Sequence, residues 1–170
     1  VALMVPPSID LVELVYALFH VGAVPVLIDP GMGLKNIGRC LAEAEPTVFI
    51  GIPKAHIARS LAGWGRASIK QLITVNGPRG WWGGARMTDL WGPFGSTSVP
   101  RFAAEDDSPA AILFTSGSTG VPKGAVYTHG IFNEQIRQLQ TCFEIKPGDI
   151  DLCTFPLFAL FAPALGMTAI

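Results

Sequence analysis

Apolar residues along the first part of the chain switch repeatedly between strand-like runs and helical spacing. Residues 1–5 form a short apolar run closed by Pro6-Pro7, which reads as a buried strand. Ser8 stands where a helix N-cap is expected. Leu11, Leu14, Val15 and Leu18 then recur at helical spacing to about Phe19, and Gly22 suits the helix end. Residues 23–28 are a β-rich run and predict a second strand, with Asp29-Pro30-Gly31 as a loop. Leu34, Ile37 and Leu41 mark a second helix ended by Pro46. Residues 47–50 read as a strand, 55–61 as a short helix and 69–75 as another strand. Alternating strands and helices are the pattern of a parallel sheet with crossover helices, so the expected fold class is α/β. No internal repeat appears.

From residue 76 to residue 100 the texture changes to glycine, proline and tryptophan, and an irregular linking segment is expected. Trp81 and Trp82 are expected to pack that segment onto the core rather than line a pocket, because aromatic rings carry most of their value as buried area. After the acidic run Glu105-Asp106-Asp107, residues 110–114 predict a strand, 125–127 another, 131–143 a helix, 147–149 a turn and 150–155 a last strand.

Composition narrows the function classes. Hydrophobic residues make up 49% of the 170 residues and charged residues 15%, which is apolar for a complete soluble domain. A membrane protein and a piece of a larger globular protein both fit. Residues 11–28 are interrupted by Glu13, His20, Gly22 and Pro25, and residues 152–170 by Pro156 and Pro163. Neither suits a spanning helix, which needs about 20 mostly apolar residues, so no transmembrane segment is expected. A formal net charge of −1 offers no basic field for nucleic acid. No signal peptide is visible, and both ends look cut from a longer protein. Cys40, Cys142 and Cys153 form no CxxC pair. They suit a reducing cytoplasm, are expected to be small buried apolar residues, and propose no metal site.

The run Thr115-Ser116-Gly117-Ser118-Thr119-Gly120-Val121-Pro122-Lys123-Gly124 carries the chemistry. Gly117 and Gly120 let the backbone bend and approach a ligand closely. Successive N–H groups can then form an anion nest, with hydroxyl donors from Thr115, Ser116, Ser118 and Thr119 and a full positive charge from Lys123. Pro122 stiffens the exit. The common phosphate loop, G-x-x-x-x-G-K-[ST], leads into a helix. Here Val121 and Pro122 separate Gly120 from Lys123 and Gly124 follows the lysine, so the loop is expected to turn between two strands. Apolar runs anchor both ends, which argues against a flexible linker.

This run, followed by Thr128-His129, resembles the signature loop of the adenylate-forming (AMP-binding) superfamily of acyl-CoA synthetases, luciferases and peptide-synthetase adenylation domains. The resemblance covers the whole chain. Residues 26–33, 49–53 and 154–161 resemble the branch that includes the β-lactone synthetases of bacterial long-chain olefin biosynthesis, often labelled fatty-acid-CoA ligases. Most acyl-CoA synthetases place a His or aromatic residue directly after Pro-Leu-Phe. Here that position is Ala159, which weighs against ordinary CoA-thioester chemistry.

The resemblance implies a partial N-terminal AMP-binding domain over residues 1–170, with the C-terminal domain absent. It implies that ATP and Mg²⁺ serve activation of a small-molecule carboxylic acid, a fatty acid by the apolar 158–165 region, to acyl-AMP and pyrophosphate. A CoA thioester or a β-lactone follows. Thr115, Ser116, Gly117, Ser118, Thr119, Gly120, Lys123 and Gly124 are the expected ATP and pyrophosphate residues. His129, Phe158 and Ala159 are candidates for the substrate pocket, although a packing role for His129 is favoured on its own signal. Phe155, Phe158 and Phe161 fit an acyl pocket and a core equally. Asp29 reads as a turn residue, since no G-x-G-x-x-G precedes it. His20 and His56 read as structural or surface residues. No catalytic residue is expected in this stretch, because the family's catalytic Lys, Mg²⁺-site Glu and ribose-site Asp lie downstream. The chain alone is therefore expected not to form acyl-AMP. The alternative is a non-catalytic nucleotide-binding module. Acyl substrate and oligomeric state are not readable.

Overall fold

The computed structural model describes residues 1–78, 80–90, 101–115, 121–153 and 158–170, the side chain of Phe158 aside. Its first strand, β1 (Ala2–Met4), ends at Pro6-Pro7 as the pattern requires. Ser8 caps α1 (Ile9–His20), its hydroxyl accepting from the Leu11 N–H at 3.3 Å. Gly22, at φ 70°, closes the helix, and the Ala23 N–H donates back to the Leu18 carbonyl at 2.9 Å. The stretch 11–28 is thereby split between a helix and the strand β2 (Val26–Ile28). Among the described residues no helix is long and apolar enough to cross a membrane.

The chain continues through α2 (Leu34–Ala44), β3 (Val48–Gly51), α3 (Pro53–Ala62), β4 (Gln71–Thr74), β5 (Ala85–Arg86), one turn of helix α4 (Met87–Leu90), β6 (Pro109–Thr115), β7 (Lys123–Thr128) and α5 (His129–Phe143). Among the described residues, seven strands form one sheet in the order β5-β4-β3-β1-β2-β6-β7. Every neighbouring pair is parallel except β6 and β7. The expected α/β class and mostly parallel sheet are thus observed.

Strand pleating sends successive residues to opposite faces. Leu3 and Ile50 pack with Leu11 and Val15 of α1 on one face. Ala2, Phe49, Val26, Ile28 and Phe114 pack with Ile37, Cys40 and Leu41 of α2 on the other. Such two-sided burial explains why β1 and β3 read as continuous apolar runs rather than as alternating ones.

Some elements differ from expectation. The second strand begins at Val26 rather than residue 23, since Pro25 lacks an N–H and contributes only its carbonyl, to Ile112 N at 2.9 Å. Residues 30–32 form a tight 3-10 turn, not an open loop. There Asp29 accepts from the Gly31 N–H at 2.8 Å, consistent with its reading as a turn residue. The segment 76–90 is not wholly irregular, because β5 adds a parallel strand beside β4. Trp82 packs as expected, stacked on His56 at 5.2 Å and donating to Thr74 Oγ1 at 3.0 Å, whereas Trp81 is 71% exposed.

Of the last expected strand, residues 154 and 155 lie outside the described residues, and its start forms β8 (Ile150–Asp151). It leaves the main sheet to pair in parallel with β9 (Thr168–Ala169), after a 3-10 turn at Phe158–Leu160 and α6 (Ala162–Leu165). Only Cys40 is buried. Cys142 is exposed because no residue of α5 is fully buried, and Cys153 donates to Asp151 Oδ2 at 2.8 Å, which with partial burial pushes its thiol up to about 11.

Candidate phosphate hairpin and adjoining cavity

β6 lies between β2 and β7, and its apolar residues Ala110, Ala111 and Phe114 are buried. Its last residue, Thr115, is exposed and pairs across the ladder with the exposed Lys123, the first residue of β7. The loop therefore joins two antiparallel strands rather than leading into a helix, as the displaced lysine and Pro122 predicted. Pro122 is buried at its exit. Ser116, Gly117, Ser118, Thr119 and Gly120 lie outside the described residues. The described part brings a hydroxyl and an ammonium group to the loop end of a hairpin. That donor set suits phosphate oxygens. Among the described residues no group of three or more His, Cys, Asp or Glu gathers to hold a metal ion.

Gly124 has a packing reason beside its place in the loop motif. A Cβ there would lie 3.0 Å from the Phe114 ring, which covers that backbone from the adjacent strand. Phe114 in turn packs in the core on the α2 face.

On the α1 face a partly open cavity of about 890 Å³ lies between the sheet and the helices α1 and α5. Leu27 and Leu113, paired in register on β2 and β6, form part of its floor. Phe19 of α1, Phe132 and Ile136 of α5, and Phe161 form walls. The rings interlock: Phe132 lies 6.2 Å from Phe19, 6.0 Å from Phe161, and stacks on Tyr127 at 5.3 Å.

His129 also lines this cavity, its ring edge-on to Phe19 at 5.5 Å. It packs, as favoured, yet it faces the cavity as well. The structure does not bring it to the phosphate end. Pro109 pairs with Thr128 at one end of the hairpin and Thr115 with Lys123 at the other. Six strand steps separate the two ends, about 20 Å. Ala159 sits half-buried in the 3-10 turn beside the cavity-lining Leu160 and Phe161, while Phe155 lies outside the described residues.

The sequence reading missed Tyr16, whose hydroxyl donates to the Leu160 carbonyl at 2.7 Å and ties α1 to that turn. Burial raises its phenol pKa above the ordinary value, so it stays a protonated donor. It also missed the cavity stripe on α5. Positions 129, 132 and 136 recur at helical spacing and signalled one face, but not what lies opposite. His56 is fully buried with Nε2 3.1 Å from the Ile73 carbonyl, in keeping with a structural role.

Residues 1–170 match the family model described as AMP-binding enzyme. The chain is 50% identical over 169 residues to an olefin beta-lactone synthetase of Xanthomonas campestris pv. campestris, and 51% identical over 168 residues to one of Stenotrophomonas maltophilia. Each match covers 98% of this chain and 30% of the relative, so the chain spans under a third of their length. The acetoacetyl-CoA synthetase structure from Streptomyces lividans shares its fold with a TM-score of 0.81 at 20% identity, over 99% of this chain and 29% of that one.

Proposed function

The chain belongs to the AMP-binding enzyme family, and from that premise we propose that it serves ATP-dependent activation of a carboxylic acid to acyl-AMP. In this reading residues 1–170 are part of the N-terminal AMP-binding domain of a longer enzyme. The substrate carboxylate attacks the α-phosphate of ATP and pyrophosphate leaves. The observation that carries the reading is the antiparallel pairing of Thr115 with Lys123. It sets a hydroxyl and a cation at the two anchors of a loop rich in Gly, Ser and Thr. These groups, with Ser116, Gly117, Ser118, Thr119, Gly120 and Gly124, would hold the β and γ phosphates. Lys123 would offset the charge that builds on the leaving pyrophosphate. Mg²⁺ would supply further charge on the phosphate oxygens. Its carboxylate ligands would come from elsewhere in the full-length protein. Family membership disfavours the non-catalytic nucleotide-binding module.

The acyl-AMP would then close onto the substrate's own β-hydroxyl as a β-lactone, or pass to CoA as a thioester. The likeness to olefin beta-lactone synthetases and Ala159 in place of a His or aromatic residue favour the lactone. The substrate would be a fatty acid, and the three thiols suit a cytoplasmic setting. The test is full-length enzyme with ATP and either β-hydroxy or plain fatty acids, with and without CoA. CoA-independent turnover of the hydroxy acid alone supports the lactone, and CoA-dependent thioester formation contradicts it.

A further inference from the structure

The end of α3 gathers two arginines. This helix leaves the C-terminal end of β3 and returns the chain toward the start of β4, where the Lys70 N–H donates to the Thr47 carbonyl at 2.8 Å. Because β1, β2, β3, β4 and β6 run parallel, the last turn of α3 lies at the opposite end of the sheet from Thr115 and Lys123. Arg59 stands in that last turn, and its carbonyl accepts from the Gly63 N–H that caps the helix. Arg66 folds back onto the cap, with Nε 3.2 Å and Cζ 3.4 Å from the place a Gly63 Cβ would take. Positions four apart on a helix share one face, one turn apart. The Arg66 guanidinium therefore occupies the side-chain place next beyond Arg59, about 6 Å along the helix axis.

Among the described residues neither arginine makes an ion pair. Arg59 is also held in place. Its Cζ lies 5.8 Å from the centre of the Phe49 ring, and its Nε is buried with no hydrogen-bond partner. Burial, and then the neighbouring charge of Arg66, holds its pKa below the ordinary guanidinium value. A cation taken from water beside a second cation costs free energy unless an anion joins them. The α3 macrodipole supplies only roughly half a negative charge at the helix end, against two full positive charges. The excess suits an ion with two negative charges.

We propose that Arg59 and Arg66 form a binding site for a doubly charged tetrahedral oxyanion of the phosphate class. The terminal amines of Arg59 and the exposed guanidinium of Arg66 donate to its oxygens, in the planar fork geometry that arginine offers phosphate. Packing on Phe49 fixes Arg59 beforehand, so little freedom is lost on binding. The bound ion ties the last turn of α3 to the connection that leads into β4. The site stands independently of the adenylation reading, since it uses neither the hairpin nor the cavity.

Inorganic phosphate titrated into the full-length protein at constant ionic strength, followed by calorimetry, tests this. Arg59→Gln and Arg66→Gln are each expected to weaken phosphate binding roughly tenfold, the scale of one lost charge-assisted hydrogen bond. Lys123→Ala is expected to leave this binding in place, because the hairpin lies at the other end of the sheet. Nitrate, with a single charge, is expected to bind more weakly than phosphate. Arg66 is exposed, so Arg66→Gln keeps the test available where Arg59→Gln fails to fold, which its thermal midpoint without phosphate identifies. Equal phosphate affinity in wild type and the folded arginine variants overturns the proposal. So does phosphate binding lost in Lys123→Ala alone, which places the ion at the hairpin only. No measurable phosphate binding, or equal affinity for nitrate, overturns it as well.

Discussion

The Tyr16 hydroxyl donates a 2.7 Å hydrogen bond to the backbone carbonyl of Leu160, joining α1 to a turn 144 residues further on. The turn carries Ala159 and precedes Phe161, which meets Phe132 edge-on. A single phenol thus fixes the segment after Pro-Leu-Phe against the first helix. Tyr16→Phe removes the donor, at a cost of about 1 kcal/mol. In the full-length enzyme the acid KM is expected to rise several-fold while the ATP KM stays unchanged. A change confined to ATP would contradict the positioning role.

Stability should fall with acid at His56. The ring is fully buried between Phe49 and Trp82, and desolvation holds its pKa below the ordinary imidazole value of 6.5, with the Ile73 carbonyl opposing. The unfolded chain therefore takes a proton that the folded chain refuses. The fold keeps its full stability above the unfolded value and loses it as pH falls below, by up to about 1.4 kcal/mol per pH unit until the folded pKa is reached. Denaturation midpoints across that range should show the slope. His56→Phe should flatten it, and an equal slope in the variant would remove His56 as its source.

Gly124 is expected to be a packing requirement as well as part of the loop motif. Gly124→Ala sets a methyl 3.0 Å from the Phe114 ring and should cost about 1 kcal/mol through overpacking. In a Phe114→Leu background that cost should largely vanish, since the two changes share one contact. Additive losses in thermal midpoint would place the strain elsewhere.

The α/β class was legible because β1, α1, α2 and β3 each carry their own local pattern: an apolar run, a Ser8 cap, helical spacing, a proline stop. The hairpin anchors Thr115 and Lys123 were legible because Pro122 and the displaced lysine rule out a helix after the loop. What escaped depended on contacts between distant segments. β5 is two residues long and is a strand only because β4 lies beside it. The pairing of Ile150–Asp151 with Thr168–Ala169 is likewise announced by no local signal. The cavity arises where α5 stands off from the sheet, and the separation of His129 from Lys123 follows from antiparallel register. Spacing along the chain reports neither.

The central claim, that the hairpin anchored by Thr115 and Lys123 grips the pyrophosphate of ATP during acid activation, is tested most directly by phosphorus NMR of the full-length enzyme with ATP, Mg²⁺ and a fatty acid. Carboxylate-dependent formation of AMP and pyrophosphate is expected, slowed about a hundredfold in Lys123→Ala, the scale on which loss of one preorganised charge-stabilising group acts. Release of ADP and phosphate, or turnover untouched by Lys123→Ala, would contradict it.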